Sequence, residues 1–222
     1  MQPSQRHIRA FLHFGQLKLS DSSPGLTSLP QALQFGGRPA FVQRFVLAAT
    51  LGASYGIYGP AFELAEGRPA KPGSEEYLDS EKYQIRDWNL DDPSSLKDLI
   101  ALVNRARREN RALQHDRNLV FHATDSHHLL CYSKATPDHS NVVLMVVNLD
   151  PYHPQSGWVE LDTEALGVAP GAPFQVHDLV TGARYMWEGA SNFVQLDPHQ
   201  IPAHVFRVRS RVRTEQDFDY FL

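Results

Sequence analysis

Hydrophobic and polar positions change their period near residue 114. Before it, apolar residues recur at helical spacing. In PAFVQRFVLAATLGA, the residues Phe41, Phe45, Ala48, Ala49 and Leu51 fall on one face, Pro39 sits in the first turn and Gly52 follows as a stop. In LKDLIALVNRARREN, residues 96 to 110, Leu96, Leu99, Ile100, Val103 and Ala106 share a face. Ser94 or Ser95 is placed to cap it. Between these helices, SYGIYG, 54 to 59, is short, aromatic and bounded by small residues. The pattern predicts a buried strand there.

After Leu113 the runs become short and alternating: NLVFHATD, HLLCYSKA, NVVLMVVNLD, GWVELD, FQVHDLVTG, ARYMWEG, FVQLDP and HVFRVRS. Turn dipeptides separate them and no helical pattern intervenes, which predicts an all-β sandwich. The front has one predicted strand between two helices. A strand so apolar needs neighbours to pair with. The expected fold class is therefore an α/β barrel tail, an incomplete (β/α)8 unit, followed by an all-β C-terminal sandwich. The expected division is an unassigned head over 1–28, the barrel portion over 29–113 and the β domain over 114–222. A barrel tail without its barrel is expected to expose apolar surface from Phe41 to Tyr58.

Bulk properties narrow the function classes. The 222 residues are 42% hydrophobic and 21% charged, an ordinary globular balance. The net charge of −4 disfavours nucleic acid or an anionic membrane as partner. The longest apolar stretch, 41 to 59, is interrupted by Gln43, Arg44 and glycines, so no membrane span is expected. The start of the chain lacks a secretion-signal pattern. The single cysteine, Cys131, rules out an internal disulfide and suits a core position in a reducing compartment. These features lead to an expectation of cytoplasmic location.

Candidate chemistry concentrates in EEYLDSEKYQIRDW, residues 75 to 88. The acids Glu75, Glu76, Asp79, Glu81 and Asp87 could include an acid–base pair, but acidic runs in loops usually lie in water. Tyr77, Tyr83 and Trp88 offer rings for sugar C–H faces, and Lys82 beside Tyr83 suits a phosphate or hydroxyl. The adjacent His127 and His128 would point to opposite sides of a hairpin and read as exposed turn residues. GGRPAF, 36 to 41, could begin a phosphate nest, but a tight turn before the helix is the favoured reading.

GGRPAFVQRFVLAATLGASYGIYGPAFELAE, followed by PGSEEYLDSEKYQIRDWNLDDPSSLKDLIALVNRARRENRAL, resembles the bacterial α-1,4-glucan:maltose-1-phosphate maltosyltransferases. These belong to the α-amylase-like glycoside hydrolase family 13. The resemblance runs from about Leu29 to the C-terminus. It implies the last part of a catalytic barrel with its closing β domain, and it makes 59–88 a loop on the catalytic face. It also implies that Lys82 and Tyr83 contact α-maltose 1-phosphate, that an α-1,4-glucan accepts the maltosyl group, and that the full-length protein is a homodimer. No metal or organic cofactor is implied.

The family's retaining mechanism uses an aspartate nucleophile and a glutamate acid/base on earlier barrel strands. Those strands are not within these 222 residues. A third carboxylate lies in an Asn-Thr-Pro-Asp motif before the glycine pair. Here that place reads SSPGLTSLPQALQFGGRPAF, and nothing marks the nearby Asp21 as its equivalent. No catalytic residue is therefore assigned, and the isolated chain is expected to be inactive. Two other readings remain. One is a non-catalytic glucan-binding module using Trp158, Trp187 and Tyr185, against the favoured reading that these rings pack inside the sandwich. The other is a related amylase-type hydrolase, which the EEYLDSEKY motif disfavours.

Overall fold

The computed structural model describes residues 29–79 and 85–210. Helix α1 spans Gln31–Leu51, α2 spans Gly59–Glu63 and α3 spans Lys97–Glu109, and a 3₁₀ turn follows at Arg111–Gln114. The eight strands are β1 Leu119–Thr124, β2 Leu129–Ala135, β3 Val142–Asn148, β4 Gln155–Glu160, β5 Pro173–Asp178, β6 Arg184–Glu188, β7 Ser191–Leu196 and β8 Ala203–Arg209. Each predicted β run is thus a strand.

Helix α1 begins earlier than its periodicity suggests and bends at Gly37, whose φ of +57° favours a residue without a side chain. Pro39 then opens the straight part, as its missing N–H and fixed φ allow. Gly36 sits so close to its neighbours that an added Cβ would lie 2.5 Å from the Ala40 Cβ. The glycine pair thus serves backbone turning and close packing. Helix α3 starts where expected, and the Ser95 hydroxyl accepts the Lys97 N–H at 3.1 Å. Leu96, Val103 and Ala106 are buried along its inner face.

The strands form one antiparallel sheet in the order β6-β5-β8-β3-β2-β1-β4-β7. The expected sandwich of two sheets is instead one near-barrel sheet folded over on itself, and its edge strands β6 and β7 touch. The continuity comes from β1, which changes partner along its length. His122 pairs with Cys131 of β2, while Ala123 pairs with Glu160 of β4. At this corner the His122 imidazole is buried. Its Nδ1 accepts the Asp162 N–H at 3.1 Å, which leaves Nε2–H to donate to the Ser133 hydroxyl at 2.8 Å.

Strand β3 explains why the sheet needs two coverings. All seven of its residues are buried. Val142, Leu144 and Val146 face the interior with Cys131, Phe174 and Phe206. Val143, Met145 and Val147 face the other way, onto α1, α3 and the 3₁₀ turn. The period of two therefore splits an unbroken apolar run between two cores. Cys131 is wholly buried, and burial pushes its thiol pKa up, as suits a packing residue.

Two expectations for the front need correction. SYGIY is not a strand. Residues 55–58 are irregular, because no neighbouring strand in the described residues offers them a ladder. Tyr55, Ile57 and Tyr58 pack against the helices' core instead. Nor is the apolar stretch from Phe41 exposed: Phe41, Val42, Phe45, Val46 and Ala49 are buried, covered by α3 and by the sheet.

The C-terminal end of α1 is held by two cations. Arg107 of α3 donates to the carbonyls of Ala49, Gly52 at 3.1 Å and Ala53 at 2.6 Å. Lys134 of β2, itself buried, donates to Leu51 O at 2.9 Å. One residue inward, the Thr50 hydroxyl meets Tyr132 Oη at 2.6 Å. Unpaired carbonyls and the negative dipole end favour positive charge at this place.

Arg107→Ala removes the donor from three part-buried carbonyls and is expected to cost about 2–3 kcal/mol. Arg107→Lys should recover only part of that, since a single ammonium cannot fork across three oxygens. Urea unfolding of the three proteins checks this, and an alanine variant as stable as the parent contradicts it.

Burial holds the His122 pKa down at about 4, with the Asp162 charge pulling the other way. The fold therefore favours the neutral ring. Stability from this site is complete above about pH 6.5 and is lost as pH falls toward 4, by roughly 3 kcal/mol. His122→Gln should flatten this limb of a stability–pH curve, and an unchanged slope would count against the assignment.

Candidate functional site

The passage from Leu64 to Ser95 is long but fixed at both ends. Glu63 receives the Leu96 N–H on its carbonyl at 2.8 Å and the Ser95 hydroxyl on its carboxylate at 3.1 Å. Within the passage, residues 68 to 78 turn back on themselves. The Leu78 N–H donates to Arg68 O at 2.9 Å, the Ala70 N–H to Glu76 O at 2.8 Å, and Pro69 and Tyr77 form a β-bridge. The ribbon is tied to the start of α1, where Leu29 N–H donates to Glu75 O and the Gln34 amide reaches Ser74 O at 2.9 Å.

A carboxylate that the sequence did not single out organises the base of this loop. The Glu66 side chain is 8% exposed and pairs with Arg86 at 2.5 Å and Arg68 at 2.8 Å. Arg86 also donates to Leu78 O at 2.9 Å, and its guanidinium lies 3.9 Å from the centroid of the Trp88 ring. One arginine thus joins both ends of the span from Leu78 to Arg86. The hydrogen bond from Arg68 is the largest cause that brings the Glu66 pKa down to about 2. Burial opposes it and Arg86 adds to it.

The other candidates divide plainly. Glu75, Glu76, Asp79 and Asp87 are exposed, so the solvated reading of the acidic run fits, and Glu81 lies outside the described residues. Tyr77 is buried against Tyr58, with ring centroids 5.3 Å apart, and anchors the ribbon. Trp88 is partly buried beneath Arg86. Neither ring is presented for sugar stacking. Lys82 and Tyr83 lie outside the described residues, within the span that Leu78 and Arg86 close. His127 and His128 are exposed in the β1–β2 turn, as their spacing suggests.

The rings of the β domain also separate. Trp187 packs on Phe206 and Phe174, with centroids 5.3 and 6.2 Å away, so the packing reading holds for it. Tyr185 is half exposed at the edge of the same group. Trp158 differs: it is 49% exposed on the outer face of β4, paired across the strands with Phe193, itself 50% exposed. Phe193 was not a candidate, because in FVQL either alternating set could face inward.

The eight-stranded antiparallel domain with helices against one face is the fold seen at the C-terminal end of amylase-type chains. A maltogenic α-amylase from Thermotoga neapolitana superposes with a TM-score of 0.51 at 13% identity, covering 90% of this chain and 46% of that one. An α-amylase from Geobacillus thermoleovorans, solved with acarbose, gives 0.51 at 15% identity over 78% of this chain and 34% of that one. At such identities the likeness concerns the fold.

Sequence likeness is more specific than likeness of fold. Residues 121–208 match the family model described as "GLGE, C-terminal". The α-1,4-glucan:maltose-1-phosphate maltosyltransferase of Chlorobaculum tepidum is 47% identical over 186 residues, covering 81% of this chain and 28% of that protein. The second maltosyltransferase of Streptomyces coelicolor is 49% identical over 181 residues, covering 80% of this chain and 26% of that protein. The matched residues are similar to the C-terminal part of these maltosyltransferases, and the chain spans about a quarter of the length of these curated relatives.

Glu66→Ala leaves the partly buried Arg86 without its carboxylate and should release the loop. Cleavage after the exposed Glu76 by a glutamate-specific protease is expected to become about tenfold faster while the global melting transition moves little. Cleavage at the parental rate would show that the ion pair does not hold the loop.

Proposed function

We propose that the chain is the closing part of a maltosyltransferase that moves maltosyl from α-maltose 1-phosphate to an α-1,4-glucan. Within that enzyme, residues 29–113 complete a (β/α) barrel and 114–222 form the C-terminal domain. The irregular apolar segment 54–58 is the stretch that would take up strand pairing with the rest of a barrel. The observation that carries the reading is close to 50% identity over some 180 residues, extending well beyond the β domain.

Lys82 and Tyr83 are the residues proposed to hold the donor. A lysine ammonium suits the phosphate dianion and a phenol suits a sugar hydroxyl. The contacts of Arg86 with Glu66, Leu78 and Trp88 fix the described residues on either side of this pair. The chain contributes substrate contacts, while the nucleophile and acid/base act from elsewhere in the enzyme. Maltosyl transfer in a bacterial cell points to the cytoplasm.

A chimera tests this. Residues 29–210 replace the matching C-terminal segment of the Chlorobaculum tepidum enzyme, and phosphate release from α-maltose 1-phosphate is followed with glycogen as acceptor. The chimera should be active, and Lys82→Ala within it should raise the donor KM at least about tenfold. The 222-residue chain assayed by itself should release no phosphate. A stable but inactive chimera, or a Lys82→Ala chimera with unchanged donor KM, would overturn the proposal.

A further inference from the structure

The outer face of β4 and β7 carries two aromatic rings in water with hydrogen-bonding side chains on either side. Trp158 and Phe193 are direct cross-strand partners, with ring centroids 5.6 Å apart and planes at 65°. The same face places Ser156 opposite Gln195 on one side, and Glu160 opposite Ser191 on the other. All four are accessible, and the Ser191 hydroxyl donates to Glu160 at 2.5 Å, leaving the second carboxylate oxygen for another donor. The inward residues Val159 and Val194 sit in the core, so the platform rests on packed backbone. Asp125 fixes it further by accepting the Trp158 N–H at 2.8 Å, an approach that Gly157 permits because a Cβ there would meet Asp125 Oδ1 at 2.4 Å.

We infer that Trp158 and Phe193 form a surface-binding platform for an α-1,4-glucan chain, distinct from the donor-binding loop. The inference rests on the proposed function for its choice of polymer. The site's chemistry argues for a neutral polyol. Ring faces bind C–H surfaces, and the flanking amide, hydroxyls and carboxylate accept or donate to hydroxyl groups. The carboxylates beside the rings, Glu160 and Asp125, are negative, which disfavours phosphates and other anions. Size argues against a protein partner. Two half-exposed rings offer roughly 200 Å², against about 800 Å² per side for a stable protein interface. That footprint suits a few sugar units. Two rings at a steep angle follow a curved chain such as an α-1,4-glucan better than a flat one. Such a platform would hold the polymer near the enzyme between transfers, raising its local concentration.

Affinity electrophoresis of the 222-residue chain through gels containing amylopectin tests the site without donor or turnover. The parent should be retarded, and Trp158→Ala and Phe193→Ala should each weaken binding about tenfold or more. Tyr152→Ala removes an exposed ring elsewhere and should leave retardation intact. Maltoheptaose should release the protein, while cellohexaose should not. Thermal melting of each variant confirms folding, which surface rings do not control. An unretarded parent, a Trp158→Ala variant that binds like the parent, or equal loss in Tyr152→Ala would overturn the inference. The chimera's transfer activity is independent of this outcome, so failure of either reading is distinguishable from failure of the other.

Discussion

The capture of one helix end by two cations is the interaction on which the arrangement depends. Arg107 comes from α3 and Lys134 from the middle of the sheet, and both reach the last carbonyls of α1. These groups must be satisfied wherever the helix ends away from water. Using charged donors from two other elements ties helix to helix and helix to sheet at a single point. The buried contact between Thr50 and Tyr132 adds a directional bond beside it. The cost is visible in Lys134, whose pKa is lowered to about 8, first by burial, with Asp116 opposing and Arg107 adding to the shift. The lysine carries its charge where water would otherwise have stabilised it.

That junction gives β2, β3 and β8 a second buried face. A sheet of this kind commonly turns one face to solvent. Here the near-barrel interior takes one set of side chains and the helices take the other. The candidate loop leaves the packed helices at Glu63 and returns at Ser95, where hydrogen bonds join its two ends. The exposed platform on β4 and β7 lies at one end of the strand order, away from β3 and β8, on which the described helices pack. The proposed donor loop and the inferred polymer platform thus share no residues.

Much of this was legible in the sequence where local pattern and burial agree. All eight strands follow from alternation and turn dipeptides, and both long helices from their apolar stripes. Leu96, Val103 and Ala106 face inward as their spacing requires. Failures occur where the outcome depends on distant partners. SYGIY has the composition of a strand, but pairing needs a neighbour that the described residues do not supply. The apolar stripe of α1 looked unpartnered, yet residues more than fifty positions away cover it. Glu66 and Arg86 are twenty residues apart, and no short-range spacing signals their pairing. Trp158 resembled a core residue by type; only the register, which turns Val159 inward, decides that it faces water.

Strand β3 also has a consequence for how the polypeptide is made. Both of its faces are apolar, and its partners are β2, just before it, and β8, which begins only at Ala203. On a ribosome, the run VVLMVVN would emerge and wait roughly 3–10 s for the strand that completes its pairing. Six consecutive apolar residues without a charge are the kind of segment that associates between chains when left open. The helices that cover one face precede it in the sequence and can fold first. N-terminal placement of the helical layer therefore acts as a built-in shield during synthesis, guarding the stickiest strand until the second half of the sheet arrives.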